Sequence, residues 1–282
     1  MFETVRRALQ DRALLTWGDV CEQAGMVLRT AGARPFRHVV VDEAQDLGPR
    51  ELRFVAGLAP PGPRALFFAG DTGQRIYRYP YSWLAVGVDV RGRAQRLKVN
   101  YRTSEQIKRF ADRLLPQRLE APDGLPEDRS TISLFSGPEP EVVGGQGGDA
   151  ERSALEAWLR GLLGRGIEPN EVAVLGRTRV VLRERAIPVL EQLGLEQAPL
   201  SVDTEVPETA INVGTLHSAK GLEFRAVAIV GCDDDVMPLR EALEAETEDE
   251  ARRIAEAREQ HLLYVGCTRA REGRVARLVE IG

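Results

Sequence analysis

Lysine is almost absent from this sequence: 38 of its 282 residues are lysine or arginine, and only Lys98, Lys108 and Lys220 are lysines. The residue before each of them is leucine, isoleucine or alanine, never glycine. A phosphate-binding loop of the form G-x-x-x-x-G-K-[ST] needs a lysine directly after a glycine, because the loop's backbone amides and that lysine hold the phosphates together. The printed sequence therefore contains no such loop.

Cysteine and long apolar runs are also scarce. The three cysteines, Cys21, Cys232 and Cys267, are odd in number and scattered, which favours a reducing compartment over a disulfide framework or a zinc site. No run approaches the roughly 20 apolar residues that a membrane span needs. The opening MFETVRRALQ carries charges where a signal peptide is apolar. We therefore expect a cytoplasmic protein without a membrane partner.

The composition that is present suits one large domain or two small ones, with 43% hydrophobic and 29% charged residues. The net charge of -5 does not by itself favour nucleic-acid binding. That charge is concentrated in one acidic run of helical composition, Glu241–Glu259, and the rest of the chain is close to neutral. Such a run is typical of a solvated helix face.

Apolar, β-branched segments alternate along the chain with amphipathic helical patterns. HVVVDE, RALFFAGD, EVAVLGRT and FRAVAIVG have the length and composition of buried parallel strands. The alternation predicts an α/β fold with parallel sheets flanked by helices. Loops rich in proline, glycine and acidic residues predict a boundary near residue 115, with domains at 1–115 and 116–282.

Two adjacent carboxylates follow the first of these strands, in HVVVDEAQD. Ligands bind beyond the carboxyl ends of parallel strands. Asp42 could therefore hold magnesium, and Glu43 could orient and deprotonate a water molecule. The alternative is an exposed turn after a core strand, and the Asp-Glu pair taken alone favours that alternative.

The second strand leads into GDTGQRIYRYPYSW. Gln74 carries an amide that both donates and accepts, so it could sense a γ-phosphate or place a water molecule. Tyr77, Tyr79 and Tyr81 alternate with arginines, a pattern that suits stacking on unpaired bases. Packing of the tyrosines in a core is an equally good interpretation of the composition.

The stretch INVGTLHSAKGLEF is the most specific one. Thr215 and His217 could donate to backbone phosphates, and Lys220 with Gly221 forms a tight cationic turn. Glu223 is placed to accept a hydrogen bond from a ribose hydroxyl. The alternative for a lone histidine such as His217 is a satisfied core residue.

Two arginines stand at predicted element ends. Arg102 follows a predicted strand, where it could hold a phosphate by paired hydrogen bonds or form a surface ion pair. Arg269 follows a predicted amphipathic helix, with Arg271 two residues later. An arginine presented to a γ-phosphate there would be an arginine finger. The alternative is a basic helix end that stabilises its own dipole.

Taken in this order, the motifs resemble those of the UvrD/Rep-like helicases of superfamily 1. VVVDEAQD resembles their motif II and AGDTGQRIY their motif III. VNYRTSEQI resembles motif IV, GTLHSAKGLEF motif V and LLYVGCTRA motif VI. The resemblance extends over nearly the whole chain, and the Ala-Lys-Gly-Leu-Glu form of motif V is typical of the 3′-to-5′ branch.

The resemblance implies two RecA-like units, the first incomplete and the second present without a large helical insertion. It implies ATP and Mg²⁺ as cofactors, with translocation on single-stranded DNA and unwinding at duplex junctions. The implied roles are magnesium and water binding for Asp42 and Glu43, γ-phosphate contact for Gln74, Arg102 and Arg269, nucleotide contact for Gly221 and Glu223, and DNA contact for Tyr77, Tyr79, Thr215, His217 and Lys220.

The missing lysine loop leaves half of such an ATP site outside the printed sequence, so we expect this chain alone to be inactive as an ATPase. Three explanations stay open. The chain is the C-terminal part of a longer helicase, it is an ATPase-inactive module that binds DNA or a partner, or it pairs with a separate chain that carries the loop.

Overall fold

The computed structural model describes residues 2–62, 64–77, 81–116, 118–120, 126–128, 131–145, 148–201, 205–234 and 236–280. Side chains are described in these ranges except at residues 2, 118–120, 126–128, 144–145 and 272–280. Among the described residues, no helix combines the length and the apolar character that crossing a membrane requires.

The α-helices of the described chain are α1 (Phe2–Asp11), α2 (Trp17–Thr30), α3 (Pro49–Gly57), α4 (Glu105–Asp112), α5 (Gly148–Leu163), α6 (Arg179–Val181), α7 (Ile187–Gln192), α8 (Arg240–Glu244) and α9 (Asp249–Cys267). The strands are β1 (Val39–Val41), β2 (Leu66–Phe68), β3 (Val99–Ser104), β4 (Arg118–Glu120), β5 (Pro126–Asp128), β6 (Ile132–Phe135), β7 (Glu141–Gly145), β8 (Val172–Gly176), β9 (Glu196–Pro199), β10 (Ala210–Thr215), β11 (Phe224–Val230) and β12 (Ala270–Glu280).

Backbone contacts divide the chain into two units, Met1–Gln95 with Leu119–Glu127 and Arg96–Arg118 with Asp128–Gly282. This grouping differs from the predicted boundary at residue 115, because β3 pairs in parallel with β6 and so lies in the second unit. The division into two motor domains, which the resemblance implies, stays a prediction.

The first unit contains a parallel pair of strands, β1 and β2, in which Val40 lies opposite Phe67. Thr16 caps the start of α2: its hydroxyl accepts from the backbone N–H of Asp19, while the Asp19 carboxylate accepts from the backbone N–H of Thr16. Helix α2 packs on α3, and a Cβ built on Gly25 would be in ordinary van der Waals contact with Phe54, 3.9 Å from its Cδ2.

One face of the β1–β2 pair is uncovered in the described chain. Val40 is 73% exposed and Phe67 62% exposed, and the two are neighbours across the strands. The opposite face contributes to a small core in which Phe68 and Trp83 meet edge to face, with ring centroids 4.9 Å apart. The first unit therefore presents apolar sheet surface that other polypeptide could cover.

The second unit contains a six-stranded parallel sheet with the order β7-β12-β11-β8-β10-β9. Every residue of β8 is buried, as expected for a parallel strand that is covered on both faces. The leucines Leu155, Leu159 and Leu162 of α5 pack on one face of the sheet. Helix α9 lies on the other face, where a Cβ at Gly266 would be 3.2 Å from Cδ1 of Ile229. The predicted α/β class with parallel sheets and flanking helices is confirmed.

The helical segment RVVLRERAIPVLEQLG is interrupted by a π-helical turn at Leu182–Ala186 between α6 and α7. Pro188 has no backbone N–H, and its ring would collide with the carbonyl of Glu184 in a regular α-helix. A wider turn immediately before the proline accommodates this restriction.

Leu159 and Leu97 offer a matched test of the second unit's core. Leu159 is completely buried, whereas Leu97 is among the most exposed apolar residues described. We expect Leu159→Ala to lower the free energy of unfolding by about 2–5 kcal/mol, since it removes packed methyl groups and leaves a cavity. Urea denaturation measures this loss, and Leu97→Ala should change the value little. Equal effects of the two substitutions would contradict the packing described.

Candidate functional site

Two polar turns lie side by side at the carboxyl edge of β1 and β2. Asp42 and Glu43 follow β1 and precede a 3₁₀ turn at Ala44–Asp46. Asp71 follows β2 and precedes a 3₁₀ turn at Thr72–Gln74. The two strands are parallel and in register, and the backbone N–H of Ala44 donates to Ala69 O at 2.9 Å. The structure therefore brings the predicted Asp42, Glu43 and Gln74 to one edge of the sheet.

The Asp-Glu turn has an unusual backbone. Glu43 has φ 52° and ψ 35°, a left-handed conformation that non-glycine residues seldom adopt. Its backbone N–H donates to Oδ1 of Asp42 at 2.8 Å. Both side chains are exposed, so their carboxylate oxygens could serve as ligands for Mg²⁺, which prefers such oxygens. Strained backbone of this kind is concentrated at active sites and ligand-binding turns.

Side-chain hydrogen bonds join the two turns. Gln45 donates from Nε2 to Oε2 of Glu43 and accepts at Oε1 from the backbone N–H of Asp71, at 3.1 Å. Gln74 donates from Nε2 to Oδ2 of Asp71 at 2.9 Å. Sequence reasoning proposed Glu43 and Gln74 but missed the residues that connect them, Gln45 and Asp71. The signal was present, since both are polar residues within the two motifs.

Tyr77 and Tyr81 of the first unit have different environments. Tyr81 packs against the small core, and its hydroxyl donates to Leu47 O at 2.8 Å. Of the two interpretations of the tyrosines, base stacking and core packing, Tyr81 follows core packing. Tyr77 is 48% exposed, and its partial burial, followed by the charge of Asp46, raises its pKa above the ordinary value of 10.0. Tyr79 lies outside the described residues, so its predicted stacking role stays a prediction.

In the second unit, the turn after β10 carries the residues predicted to contact DNA. The hydroxyl of Thr215 accepts from the backbone N–H of Ser218 at 3.3 Å, and Gly221 has φ +83°, which only glycine adopts easily. Lys220 and His217 are partly exposed on this turn. The structure thus confirms a tight turn, and the contact of these side chains with DNA stays a prediction.

His217 stands beside a charged pair that sequence reasoning missed. Arg177, directly after β8, donates from Nε and Nη2 to the two carboxylate oxygens of Glu259 on α9, at 2.7 and 2.8 Å. Glu259 also accepts from the backbone N–H of Leu239 at 3.1 Å. The partners are 82 residues apart in sequence, so no local pattern predicts the pair.

The environment of His217 disfavours its charged form. Burial, followed by the positive charges of Arg177 and Arg258, lowers the pKa of His217 below its ordinary value of 6.5, against the opposing charge of Glu259. A neutral imidazole can donate from one ring nitrogen and accept at the other. His217 is therefore equipped for hydrogen bonding and not for charge pairing at neutral pH.

Glu223 brings two arginines of the second unit together. Nε of Arg102 lies 2.6 Å from Oε1 of Glu223, and Nε of Arg271 lies 3.9 Å from its Oε2. All three side chains retain substantial exposure, so the ion pairs contribute little to stability. The predicted residues Arg102 and Glu223 are thus neighbours. In this structure Arg102 forms a surface ion pair, which was the alternative to phosphate binding.

Arg269 is only 1% exposed, in contrast to an arginine that reaches toward a ligand. Its Nε donates to Val265 O at 3.0 Å, and its Nη1 donates to Leu222 O at 3.4 Å. Arg269 therefore binds carbonyls at the end of α9 and in the turn that precedes β11. In this structure Arg269 is a basic residue at a helix end, which was the alternative to an arginine finger. Its contact with a γ-phosphate stays a prediction.

Comparison with known proteins gives matches along most of the chain. The model of the UvrD/REP helicase N-terminal domain matches residues 11–83, and that of the UvrD-like helicase C-terminal domain matches residues 182–274. DNA helicase IV of Escherichia coli is 28% identical over 252 residues, which cover 84% of this chain and 33% of the relative. A probable DNA helicase of Mycoplasma pneumoniae is 25% identical over 245 residues, which cover 83% of this chain and 42% of the relative.

A shorter match is closer in sequence. The ATP-dependent DNA helicase UvrD1 of Mycobacterium tuberculosis is 42% identical over 83 residues, which cover 28% of this chain and 10% of the relative. The chain thus spans less than half the length of each of these relatives. The names of the relatives describe longer polypeptides.

Arg269 and Arg271 provide a matched pair for testing the buried guanidinium. We expect Arg269→Ala to lower the free energy of unfolding by roughly 2–3 kcal/mol, because hydrogen bonds from a charged donor to buried carbonyls are lost. Arg271→Ala should have a small effect, since Arg271 is exposed. Chemical denaturation of both variants measures the difference. An Arg269→Ala protein as stable as the wild type would contradict the buried role.

The lowered pKa of His217 makes stability depend on pH. Below pH 6.5 the unfolded chain takes up a proton at this residue, whereas the folded chain takes it up only at a lower pH. The free energy of unfolding should therefore fall as the pH drops below 6.5. Urea denaturation at several pH values measures this component, which His217→Asn should remove and His38→Asn, at an exposed position, should retain. An imidazole that titrates at or above 6.5 by NMR would contradict the prediction.

Proposed function

This chain belongs to the UvrD/Rep-like helicases of superfamily 1, and on that premise we propose that it forms part of an ATP-dependent motor that moves 3′-to-5′ on single-stranded DNA and unwinds duplex. The observation that carries the proposal lies in the first unit. The exposed carboxylate of Glu43 is connected to Gln74 by hydrogen bonds through Gln45 and Asp71, and the exposed carboxylate of Asp42 lies next to it at the carboxyl edge of two parallel strands. Carboxylates and an amide at such an edge could bind Mg²⁺ and place a water molecule beside a phosphate.

Each residue has a proposed role at the nucleotide. Asp42 and Glu43 fit Mg²⁺ because they present exposed carboxylate oxygens, and a bound Mg²⁺ would neutralise charge on the phosphates. Glu43 would also accept a proton from water. Gln74, Arg102 and Arg269 would contact the γ-phosphate, and the turn of Gly221 with Glu223 would contact the nucleotide sugar. Arg269 would first have to leave the carbonyls of Val265 and Leu222.

The printed sequence lacks the loop that would hold the β- and γ-phosphates. The uncovered apolar face at Val40 and Phe67 provides a surface on which further polypeptide could pack. We therefore propose that a P-loop-bearing region or chain completes the site. The C-terminal part of a longer helicase and a two-chain motor both satisfy this requirement.

The DNA-binding surface is proposed to lie on the turn after β10, with Thr215, His217 and Lys220, and on the exposed Tyr77 of the first unit. Neutral donors and one lysine suit the backbone of single-stranded DNA, and an exposed tyrosine suits stacking on a base. Tyr79 belongs to this proposal by its sequence position alone. The expected partners are single-stranded DNA and duplex junctions.

A second function is favoured by the missing loop itself. A chain without the lysine loop that holds nucleotide phosphates could serve as an ATPase-inactive module that binds DNA or a partner protein. The exposed Val40 and Phe67 would then be part of the partner-binding surface. Nucleotide hydrolysis distinguishes this alternative from the motor.

The ATPase test uses the purified chain with and without single-stranded DNA, and then together with a polypeptide from the same genome that carries G-x-x-x-x-G-K-[ST]. We expect no hydrolysis by the chain alone, and DNA-stimulated hydrolysis by the combination. Glu43→Gln should lower that rate by about 10²-fold or more, because it removes a general base.

Three outcomes are informative. Hydrolysis by the chain alone that Glu43→Gln abolishes would show that phosphate is held without the loop. No hydrolysis by any combination, together with retained DNA binding, would favour the inactive module. No hydrolysis and no DNA binding would contradict both the motor and the DNA-binding module.

Binding to DNA is tested with a labelled single-stranded oligonucleotide at several salt concentrations. Lys220→Ala should weaken binding and reduce the slope of log affinity against log salt by about one, since one phosphate contact is lost. Lys98→Ala, an exposed lysine elsewhere in the second unit, is the matched control. Equal effects of the two substitutions would place the DNA elsewhere.

A further inference from the structure

We propose that Gln45 is a positioning residue that couples the orientation of Glu43 to that of Gln74 through Asp71. The inference rests on the proposed function of these residues at a nucleotide. Gln45 does not face a substrate itself. It acts through the hydrogen bonds that its amide makes to the turns after β1 and β2.

The orientation of the Gln45 amide follows from its partners. The backbone N–H of Asp71 can only donate, so the atom that faces it at 3.1 Å must be the amide oxygen, Oε1. The amide nitrogen, Nε2, is thereby directed at Oε2 of Glu43, to which it donates. A primary amide can accept at its oxygen and donate from its nitrogen at the same time. A carboxylate or an aliphatic side chain cannot replace it.

The far end of the connection is Gln74. Asp71 accepts from the backbone N–H of Gly73 at Oδ1, at 2.8 Å, and from Nε2 of Gln74 at Oδ2, at 2.9 Å. The order of connections is therefore Glu43, Gln45, Asp71, Gln74. We call this set the amide relay. Its ends are the two residues of the first unit proposed to meet water and the γ-phosphate.

Burial makes the amide relay cooperative. Gln45 is 6% exposed and Gln74 is 9% exposed. A buried amide that loses a partner is destabilised, because little water is available to replace it. Rotation of Gln74 therefore disturbs Asp71 and Gln45, and the disturbance reaches Glu43. A change at the γ-phosphate would therefore alter the orientation of Glu43, the residue proposed to bind and deprotonate water.

Gly70 leaves the space that the relay occupies. A Cβ built on Gly70 would overlap Oε1 of Gln45 and would lie 3.2 Å from the backbone N of Ala44. Any larger residue at this position must displace the Gln45 amide. A glycine is thus required at position 70 because a side chain there would occupy the space of the Gln45 amide.

The first test measures hydrogen exchange of the Asp71 backbone amide by NMR in the purified chain. Gln45→Ala should speed exchange by about tenfold, the factor that corresponds to one lost hydrogen bond, and should shift the side-chain amide signals of Gln74. Gln45→Glu keeps an oxygen for Asp71 but places a carboxylate against Glu43. It should leave Asp71 exchange within twofold and shift the carboxyl signal of Glu43.

The control for the added charge is Gln23→Glu, on the exposed surface of α2 in the same unit. It should change none of these signals. Unchanged Asp71 exchange in Gln45→Ala, or unchanged Gln74 signals, would overturn the relay.

A second variant displaces the Gln45 side chain without changing Gln45 itself. Gly70→Ala should displace the Gln45 amide and reproduce the faster Asp71 exchange of Gln45→Ala. Gly57→Ala, at the end of α3, is the matched control, because nothing lies within 4 Å of a Cβ built there. If Gly70→Ala leaves Asp71 exchange and the Gln74 signals as in the wild type, the relay is wrong.

The activity test uses the complex that hydrolyses ATP. Gln45→Ala and Gln45→Glu should each lower kcat by about tenfold or more while KM for ATP stays within about twofold, because the aim of Glu43 is lost and nucleotide binding is not. A general loss of structure would change KM and kcat together. Unchanged kcat would overturn the catalytic part of the proposal. If no complex hydrolyses ATP, the proposed function fails, and the exchange measurements alone decide the relay.

Discussion

Neighbouring parallel strands bring polar residues together in one place, the turns that follow their carboxyl ends. In the first unit, β1 and β2 are parallel and in register, so the turns at Asp42–Asp46 and Asp71–Gln74 must lie together. In the second unit, the neighbouring strands β11, β8 and β10 bring Gly231–Asp233, Arg177 and His217 to one edge. Strand direction thus assembles residues that are distant in sequence.

Buried charge determines how the helices of the second unit meet this edge. Arg177 holds Glu259 of α9, while Arg185 of the π-turn holds both Glu151 of α5 and Asp233. Burial raises the pKa of Glu151, against the hydrogen bonds from the Gly231 backbone and Arg185. Such pairs add little net stability but are strongly destabilising when one partner is removed. They therefore fix one register of helix on sheet.

Much of the fold could be predicted because its determinants are local. The apolar runs that became β8 and β11 have the composition that double burial requires, and the structure confirms them as adjacent parallel strands. The motif residues Asp42, Glu43 and Gln74 were identifiable because each follows such a run. Their connection through Gln45 was not, since it depends on side-chain direction across two strands and on the space left at Gly70.

The sequence by itself determined the α/β class, the family, the polar turns and the lack of a lysine loop, because composition and spacing along the chain carry that information. Only the tertiary structure decided that Arg269 is buried, that Tyr81 packs in a core and that Arg177 pairs with Glu259. These outcomes depend on which distant surfaces exclude water from each side chain. The same arginine or tyrosine is a ligand contact or a core contact according to that packing.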